Sequence, residues 1–221
     1  GYSLTKEQLA SPDVLTNHNH APATDDGRIV EKWSFRRSNY FPFVGEECRN
    51  VMNNVAIQDM SAFAKMEVSG PGAREWLESI LANKIPKKMG RIALCHLLSG
   101  NGGTRAEFTV YERRAGEFYL VSAGAYERHD HDYLRKLCPT DGSVRLNAIT
   151  TRFGVLVLAG PNSRKVLQKL TDADLSNEAF PWLSGKEISV GNCTAHALCP
   201  ILAMPTDHNR FCITQSCRIR I

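Results

Sequence analysis

Two similar units constrain the fold of this chain most: each is a short apolar strand, a glycine-proline turn and a helix. The first unit reads AKMEVSGPGAREWLESILANKI and the second reads GVLVLAGPNSRKVLQKL. Proline suits the first turn of a helix because the amide it lacks would have no partner there. Apolar residues at helical spacing give each helix one core-facing side: Trp76, Leu77, Ile80 and Leu81 in the first, and Val166, Leu167 and Leu170 in the second.

The segments between and around these units predict antiparallel strands. RIALCHLLS, EFTVYERR and GEFYLVSAG alternate or are apolar, and the Gly102-Gly103 turn lies between the first two. A helix is predicted over residues 125–137, two more strands in SVRLNAITTRFGVLVLAG, and an earlier helix after Gly45 with Val51, Met52 and Val55 at helical spacing. The chain therefore predicts an α+β fold with antiparallel sheets flanked by helices. Strands and helices do not strictly alternate and no G-x-G-x-x-G follows a strand, which argues against a doubly wound nucleotide fold.

Both ends differ in composition from the middle. Residues 1–45 contain three prolines and little periodicity, which is typical of a connector arm, although the dense aromatic residues near its end indicate that it docks on something. Residues 46–191 form the regular domain. Residues 192–221 hold four of the seven cysteines, place prolines inside apolar stretches, and are expected not to complete a sheet in any obvious register.

Charge and hydropathy exclude two classes of partner. The 27 basic and 23 acidic residues are interspersed and give a formal charge of only +4, so no basic stripe is available for a nucleic-acid backbone. No apolar run approaches the roughly 18 residues that span a bilayer. We expect a soluble protein without a membrane or nucleic-acid partner, and reduced thiols rather than a disulfide framework.

Four segments in order resemble a known family: GEECRNVMNNVAIQDMSAFAKMEVSGPGA, GRIALCHLLSGNGGTRAEFTVY, GEFYLVSAGAYERHDHDYL and GVLVLAGPNSRKVLQKLTDADLSNEAFPW. Together, over residues 33–190, they resemble the folate-binding region shared by the glycine-cleavage T-protein (an aminomethyltransferase) and the carboxy-terminal halves of dimethylglycine and sarcosine dehydrogenases. SFRRSNYFPFVGEECRNV resembles the junction between flavin and folate domains in those fused dehydrogenases. The resemblance implies a T-protein-like folate-binding domain in residues 46–191, in a partial chain that lacks the family's final β-rich domain.

The resemblance also implies an activity and a cofactor. Members transfer a one-carbon unit from an amine donor to tetrahydrofolate, so this chain is expected to bind tetrahydrofolate and an amine donor. FAD is expected only in an upstream domain, and a flavin dehydrogenase domain or subunit is the expected partner. The compartment implied is the mitochondrial matrix or the cytoplasm.

Site residues follow from the resemblance, position by position. Glu107 lies where the family has its main catalytic carboxylate, usually Asp. Leu94 replaces a usual tyrosine, and Ser122, next to Val121, replaces an asparagine of the pterin pocket. Each lost directional hydrogen bond costs about 0.5–1.5 kcal/mol of affinity. Asp59 matches an early aspartate and either touches the ligand or caps the local turn, and capping is the favoured interpretation.

Three alternatives to a folate-dependent enzyme remain: a folate-binding domain without activity, a zinc-binding module and a thiol hydrolase. The chain could be a folate-binding or interaction domain that has lost turnover. A zinc module in the tail has ligands by type in Cys193, His196, Cys199, His208, Cys212 and Cys217, but no C-x-x-C pair. A thiol hydrolase has little support because Cys95 and His96 point to opposite faces of a strand. His129 and His131 are expected to lie on a helix surface.

Overall fold

The computed structural model describes residues 40–199 and the backbone of residues 210–216, and the chain divides into two units after Asn53. In the first unit, helix α1 (Phe41–Asn53) has no buried side chain. This helix begins inside the segment predicted as a connector. It also ends before Val55, which the sequence pattern placed on the helix. That part of the prediction is wrong, because the chain turns extended after Asn53 and continues as strand β1 (Ala56–Asp59).

Two five-stranded antiparallel sheets build the second unit. The first sheet has the order β3-β4-β5-β2-β6 and the second β1-β7-β10-β9-β8. The strands are β2 (Ala64–Ser69), β3 (Ile92–Leu98), β4 (Thr104–Arg114), β5 (Glu117–Ser122), β6 (Arg145–Ala148), β7 (Phe153–Ala159), β8 (Ser184–Val190), β9 (Cys193–Cys199) and β10 (Arg210–Ser216). The helices are α2 (Ala73–Ile80), α3 (Glu127–Leu137) and α4 (Ser163–Gln168). The predicted α+β class with antiparallel sheets and flanking helices is confirmed.

Three clusters of buried side chains show how these layers pack. Trp76 and Leu77 of α2 and Leu134 of α3 pack on the outer face of the first sheet. Leu167 of α4 packs with buried side chains of the second sheet. Between the sheets lies a third cluster, Ile92, Tyr111, Tyr119, Ile149 and Leu198. The order of layers is therefore helices, sheet, sheet, helix.

Helix α4 is shorter than its sequence pattern suggests. Leu167 is fully buried as predicted, but Leu170 is 53% exposed. The prediction for Leu170 is wrong because the helix ends at Gln168, two residues before it. Among the described residues, no helix has the length and apolar character needed to cross a membrane.

The carboxy-terminal segment belongs to the second sheet. β9 pairs along its whole length with β8, and β10 lies between β7 and β9, with Arg210 opposite Ala159 and Ser216 opposite Phe153. The expectation that residues 192–221 could not complete a sheet is therefore wrong. The prolines that argued against a strand, Pro200 and Pro205, fall between the two strands in sequence rather than within them.

Candidate functional site

A cavity of about 510 Å³ lies where β5 leaves the first sheet. β5 ends at Ser122, just after Val121 pairs with Thr109 of β4. The first residues of β4, from Thr104 to Phe108, pair with β3 on one side, and no other described strand pairs with them on the other side. The cavity wall comes from β3, β4, β5, α3 and the turns beside them: Phe63, Leu94, Thr104, Arg105, Ala106, Glu107, Thr109, Val121, Ser122, Ala123, Tyr126 and Asp130.

A close backbone approach fixes the turn by which the chain leaves β5. A Cβ atom on Gly124 would lie 1.9 Å from the carbonyl oxygen of Ala62, so only glycine fits there. This contact directs Ala123 and Tyr126 to the rim of the cavity before α3 begins. Tyr126 remains 61% exposed and presents a ring to whatever enters.

Four of the five predicted binding residues meet at this cavity. Glu107, Leu94, Val121 and Ser122 all line it. Asp59 does not. Its carboxylate accepts a hydrogen bond from the backbone N–H of Ser61 at 2.8 Å, and the hydrogen bonds from Ser61 lower the pKa of Asp59. The interpretation of Asp59 as the cap of a local turn is the one that the geometry supports.

Glu107 is held by a histidine on the neighbouring strand. His96 lies opposite Glu107 in the sheet, and its Nε2 is 3.1 Å from Oε2 of Glu107. On the other side of the ring, Oδ1 of Asn83 accepts the backbone N–H of His96 at 3.2 Å and lies 3.4 Å from Nδ1. The side chain of Glu107 is 57% exposed, so its contact with His96 leaves it open to the cavity.

A buried carboxylate in the cavity wall was not predicted. Asp130 on α3 is 3% exposed; it accepts a hydrogen bond from the hydroxyl of Ser122 at 3.0 Å and contacts Nδ1 of His129 at 3.0 Å. The far nitrogen of His129, Nε2, lies 3.4 Å from Nη2 of Arg105. The sequence held one signal: Asp130 lies four residues after Tyr126 and four before Leu134, which places a charged residue on the apolar side of the helix.

Among the described residues, neither of the two competing kinds of site is supported. Cys95 is fully buried between the first sheet and its helices. Burial raises the pKa of its thiol to about 11, so the thiol stays protonated and unreactive. Within residues 40–199, no three potential ligands are close enough to hold a metal ion. Cys193 and Cys199 lie on the opposite side of β9 from His196. Of the other candidate zinc ligands, His208 and Cys217 fall outside the described residues, and only the backbone of Cys212 is described.

The cavity suits a flat ligand with polar edges. Its volume lies within the range of about 300–1,000 Å³ that is usual for small-molecule sites. Phe63, Leu94 and Val121 offer apolar contact, while Glu107 and Ser122 offer polar groups at two places in the wall. Such a wall fits a small ring system that packs on apolar side chains and hydrogen bonds through its edge.

Comparison with known proteins identifies the family of this chain. The model of the GCVT N-terminal domain matches residues 18–199. The chain is 40% identical over 166 residues to human mitochondrial dimethylglycine dehydrogenase, and this alignment covers 75% of this chain and 19% of that protein. It is 33% identical over 141 residues to an aminomethyltransferase of Listeria innocua, which covers 63% of this chain and 38% of that protein. The chain thus spans less than half the length of these relatives.

Among solved structures, the glycine cleavage system aminomethyltransferase T from Bartonella henselae matches with a TM-score of 0.64 at 20% identity, over 76% of this chain and 44% of that one. The heterotetrameric sarcosine oxidase from Corynebacterium sp. U-96 matches with a TM-score of 0.57 at 17% identity, over 83% and 88% respectively. At these identities the two structures support the fold alone. The family match over residues 18–199 and the shared fold together show that this chain belongs to the GCVT N-terminal domain family of aminomethyltransferase-like proteins.

Proposed function

We propose that the cavity binds tetrahydrofolate and that Glu107 is the carboxylate that serves one-carbon transfer to it from an amine donor. The observation that carries this proposal is the convergence of Glu107, Leu94, Val121 and Ser122 on one cavity of suitable size. These residues come from three different strands. The family to which the chain belongs is folate-dependent, which supports the ligand.

Glu107 meets two demands of this chemistry. The carbon that is transferred carries cationic character, which a fixed carboxylate stabilises, and the attacking nitrogen gives up a proton, which the same carboxylate accepts. His96 holds the Glu107 side chain at 3.1 Å and so limits the positions that the carboxylate samples. Apolar contacts from Leu94 and Val121 keep water from the ligand ring.

We assign flavin chemistry to a partner domain or subunit. Relatives of this chain include the alpha subunit of a sarcosine oxidase from Rhizobium meliloti and human dimethylglycine dehydrogenase, both much longer than the matched region. A flavin-bearing dehydrogenase, with FAD as its cofactor, would supply the oxidised amine. The mitochondrial name of the human relative supports a mitochondrial compartment for this chain.

Anaerobic calorimetric titration with tetrahydrofolate tests the proposal. We expect binding by the unmodified protein and a roughly tenfold higher Kd for Glu107→Gln, equivalent to about 1.4 kcal/mol. Glu178→Gln is the matched control because Glu178 is an exposed glutamate away from the cavity. No binding by the unmodified protein would exclude the folate site. Equal affinities of the unmodified protein and Glu107→Gln would show that Glu107 does not contribute to binding, and loss of transfer in Glu107→Gln then tests its catalytic role.

A non-catalytic folate-binding domain is the second candidate. The observation that favours it is the loss of polar groups from the wall, since Leu94 and Ser122 replace larger hydrogen-bonding residues of the family. The two candidates differ in a transfer assay with tetrahydrofolate and formaldehyde as the one-carbon source. Formation of methylenetetrahydrofolate faster than the uncatalysed rate, lost in Glu107→Gln, supports the enzyme. Binding without any such acceleration supports the second candidate.

A further inference from the structure

Arg105 lines the cavity and is held in place by an aromatic ring and a histidine. Its guanidinium carbon lies 4.3 Å from the centroid of the Tyr133 ring, which is a cation-π contact, and Nη2 lies 3.4 Å from Nε2 of His129. Within residues 40–199, no acidic side chain forms an ion pair with Arg105. Most of its five N–H donors therefore face solvent or the cavity.

A chain of hydrogen bonds sets the orientation of His129 beside Arg105. Ser122 donates to one oxygen of Asp130, and the Nδ1 atom of His129 contacts the other. Because Asp130 is an acceptor, Nδ1 carries the proton and Nε2 is left as an acceptor for the Arg105 guanidinium. The buried carboxylate thus fixes the ring that holds Arg105 from one side, while Tyr133 holds it from the other.

The two acidic side chains that line the same cavity are engaged with other partners. Glu107, two residues along the same strand, pairs with His96, and Asp130 accepts from Ser122 and His129. Neither forms an ion pair with Arg105. A guanidinium that is preorganised and has no ion-pair partner in the described part of the chain is suited to bind a carboxylate through two parallel hydrogen bonds. Little side-chain entropy is lost on binding because the group is already held.

We propose that Arg105 binds a carboxylate in the glutamate tail of tetrahydrofolate, with His129 and Asp130 as positioning residues. This inference rests on the proposed function and adds to it the direction in which the ligand lies. The ring lies against Leu94 and Val121, and the acidic tail leaves past Arg105. The mouth of the cavity would then discriminate in favour of a ligand with an acidic tail.

Anaerobic calorimetry with two ligands tests this inference. Tetrahydrofolate and its dimethyl ester share the ring system, but only the former carries the tail carboxylates. We expect the unmodified protein to bind tetrahydrofolate about tenfold more tightly than the ester. Arg105→Met, which keeps a stem that packs on Tyr133, should weaken tetrahydrofolate about tenfold and leave the ester unchanged. Arg105→Lys should recover only part of the loss because lysine lacks the planar fork.

Controls separate charge, positioning and folding. Arg128→Met makes the same change on α3 at a side chain that is 96% exposed, and should alter neither affinity. His129→Phe should weaken tetrahydrofolate by a smaller factor and spare the ester. Equal weakening of both ligands by Arg105→Met, or no weakening of either, would overturn the inference. So would equal binding of the two ligands by the unmodified protein, which leaves the proposed function standing; binding of neither ligand rejects both proposals.

Discussion

At the scale of single residues, a fully buried lysine organises the loop that carries one wall of the cavity. Lys65 of β2 is 0% exposed, and its Nζ donates to the carbonyl oxygens of Ser61 and Phe63, each at 2.8 Å. Its backbone N–H donates to Oγ1 of Thr150 at 3.0 Å. An ammonium group is buried at a high desolvation cost, which carbonyl acceptors offset. Lys65 therefore fixes the position of Phe63 in the cavity wall.

Lys65→Met should lower the free energy of unfolding. Methionine keeps the volume of the stem but removes the donors, and the two carbonyl groups that lose their partners cost about 1–3 kcal/mol. Urea denaturation measures the loss. Lys87→Met is the matched control, since Lys87 is exposed and no hydrogen bond of its side chain is seen in the described part of the chain. An unchanged midpoint for Lys65→Met would show that the buried contacts contribute nothing net.

At the scale of elements, the two strand-turn-helix units share one backbone conformation at the turn. Gly70 and Gly160 precede the prolines of the two turns, and their φ angles are 122° and 119°. Only glycine adopts this conformation readily. In each turn, the backbone N–H of the third residue after the glycine donates to the glycine carbonyl oxygen. Ala73 donates to Gly70 at 3.1 Å, and Ser163 donates to Gly160 at 3.0 Å. The repeated sequence thus encodes a repeated conformation.

Gly70→Ala adds one methyl group but should lower the free energy of unfolding strongly. A Cβ atom at Gly70 would lie 2.4 Å from the carbonyl oxygen of Ser143, and the positive φ adds strain. The backbone strain alone costs about 1–3 kcal/mol. Gly100→Ala is the control, because nothing lies within 4 Å of a Cβ atom there and no positive φ occurs. Thermal unfolding of the two variants should give a clear drop only for Gly70→Ala; similar melting temperatures would contradict this account.

Local patterns of this kind explain which parts of the structure could be predicted. The alternation in RIALCHLLS and EFTVYERR is enough to place Leu94 and Glu107 on strands, and the resemblance selects them from many exposed positions. Asp130 and Arg105 could not be found in this way. Their roles depend on α3 packing beside the end of β5, which is a contact between segments distant in sequence. Nothing local distinguishes Arg105 from a solvated charge, and the local signal for Asp130, its place on the apolar side of a helix, does not say what it contacts.

At the scale of the whole molecule, the carboxy-terminal segment shows the same limit. β9 supplies Leu198 to the cluster between the sheets and Ala197 to the cluster under α4, so both of its faces are covered. A strand that is buried on both faces lacks polar-apolar alternation, and its short apolar run does not separate a strand from other structures. The sequence of residues 192–221 therefore looks irregular although its strands pair regularly.

Packing between the sheets also makes stability depend on pH through His196. This side chain of β9 is 15% exposed, and its ring meets Tyr111 of the first sheet edge-on at a centroid distance of 6.2 Å. Burial and the nearby Arg113 guanidinium lower the pKa of His196 from its ordinary value of 6.5. The folded chain therefore holds this imidazole neutral at a pH where the unfolded chain binds a proton.

It follows that the free energy of unfolding should fall as the pH decreases below about 6.5, because the unfolded state takes up a proton that the folded state excludes. His196→Gln removes this titration, so its free energy of unfolding should decrease less between pH 7.5 and pH 5.5. Urea titrations at several pH values measure both slopes. The exposed carboxyl groups with lowered pKa values, Asp59, Asp141 and Asp174, titrate below this window because their ordinary value is 3.8. Identical slopes for the two proteins would mean that His196 takes up its proton without disturbing the packing between the sheets.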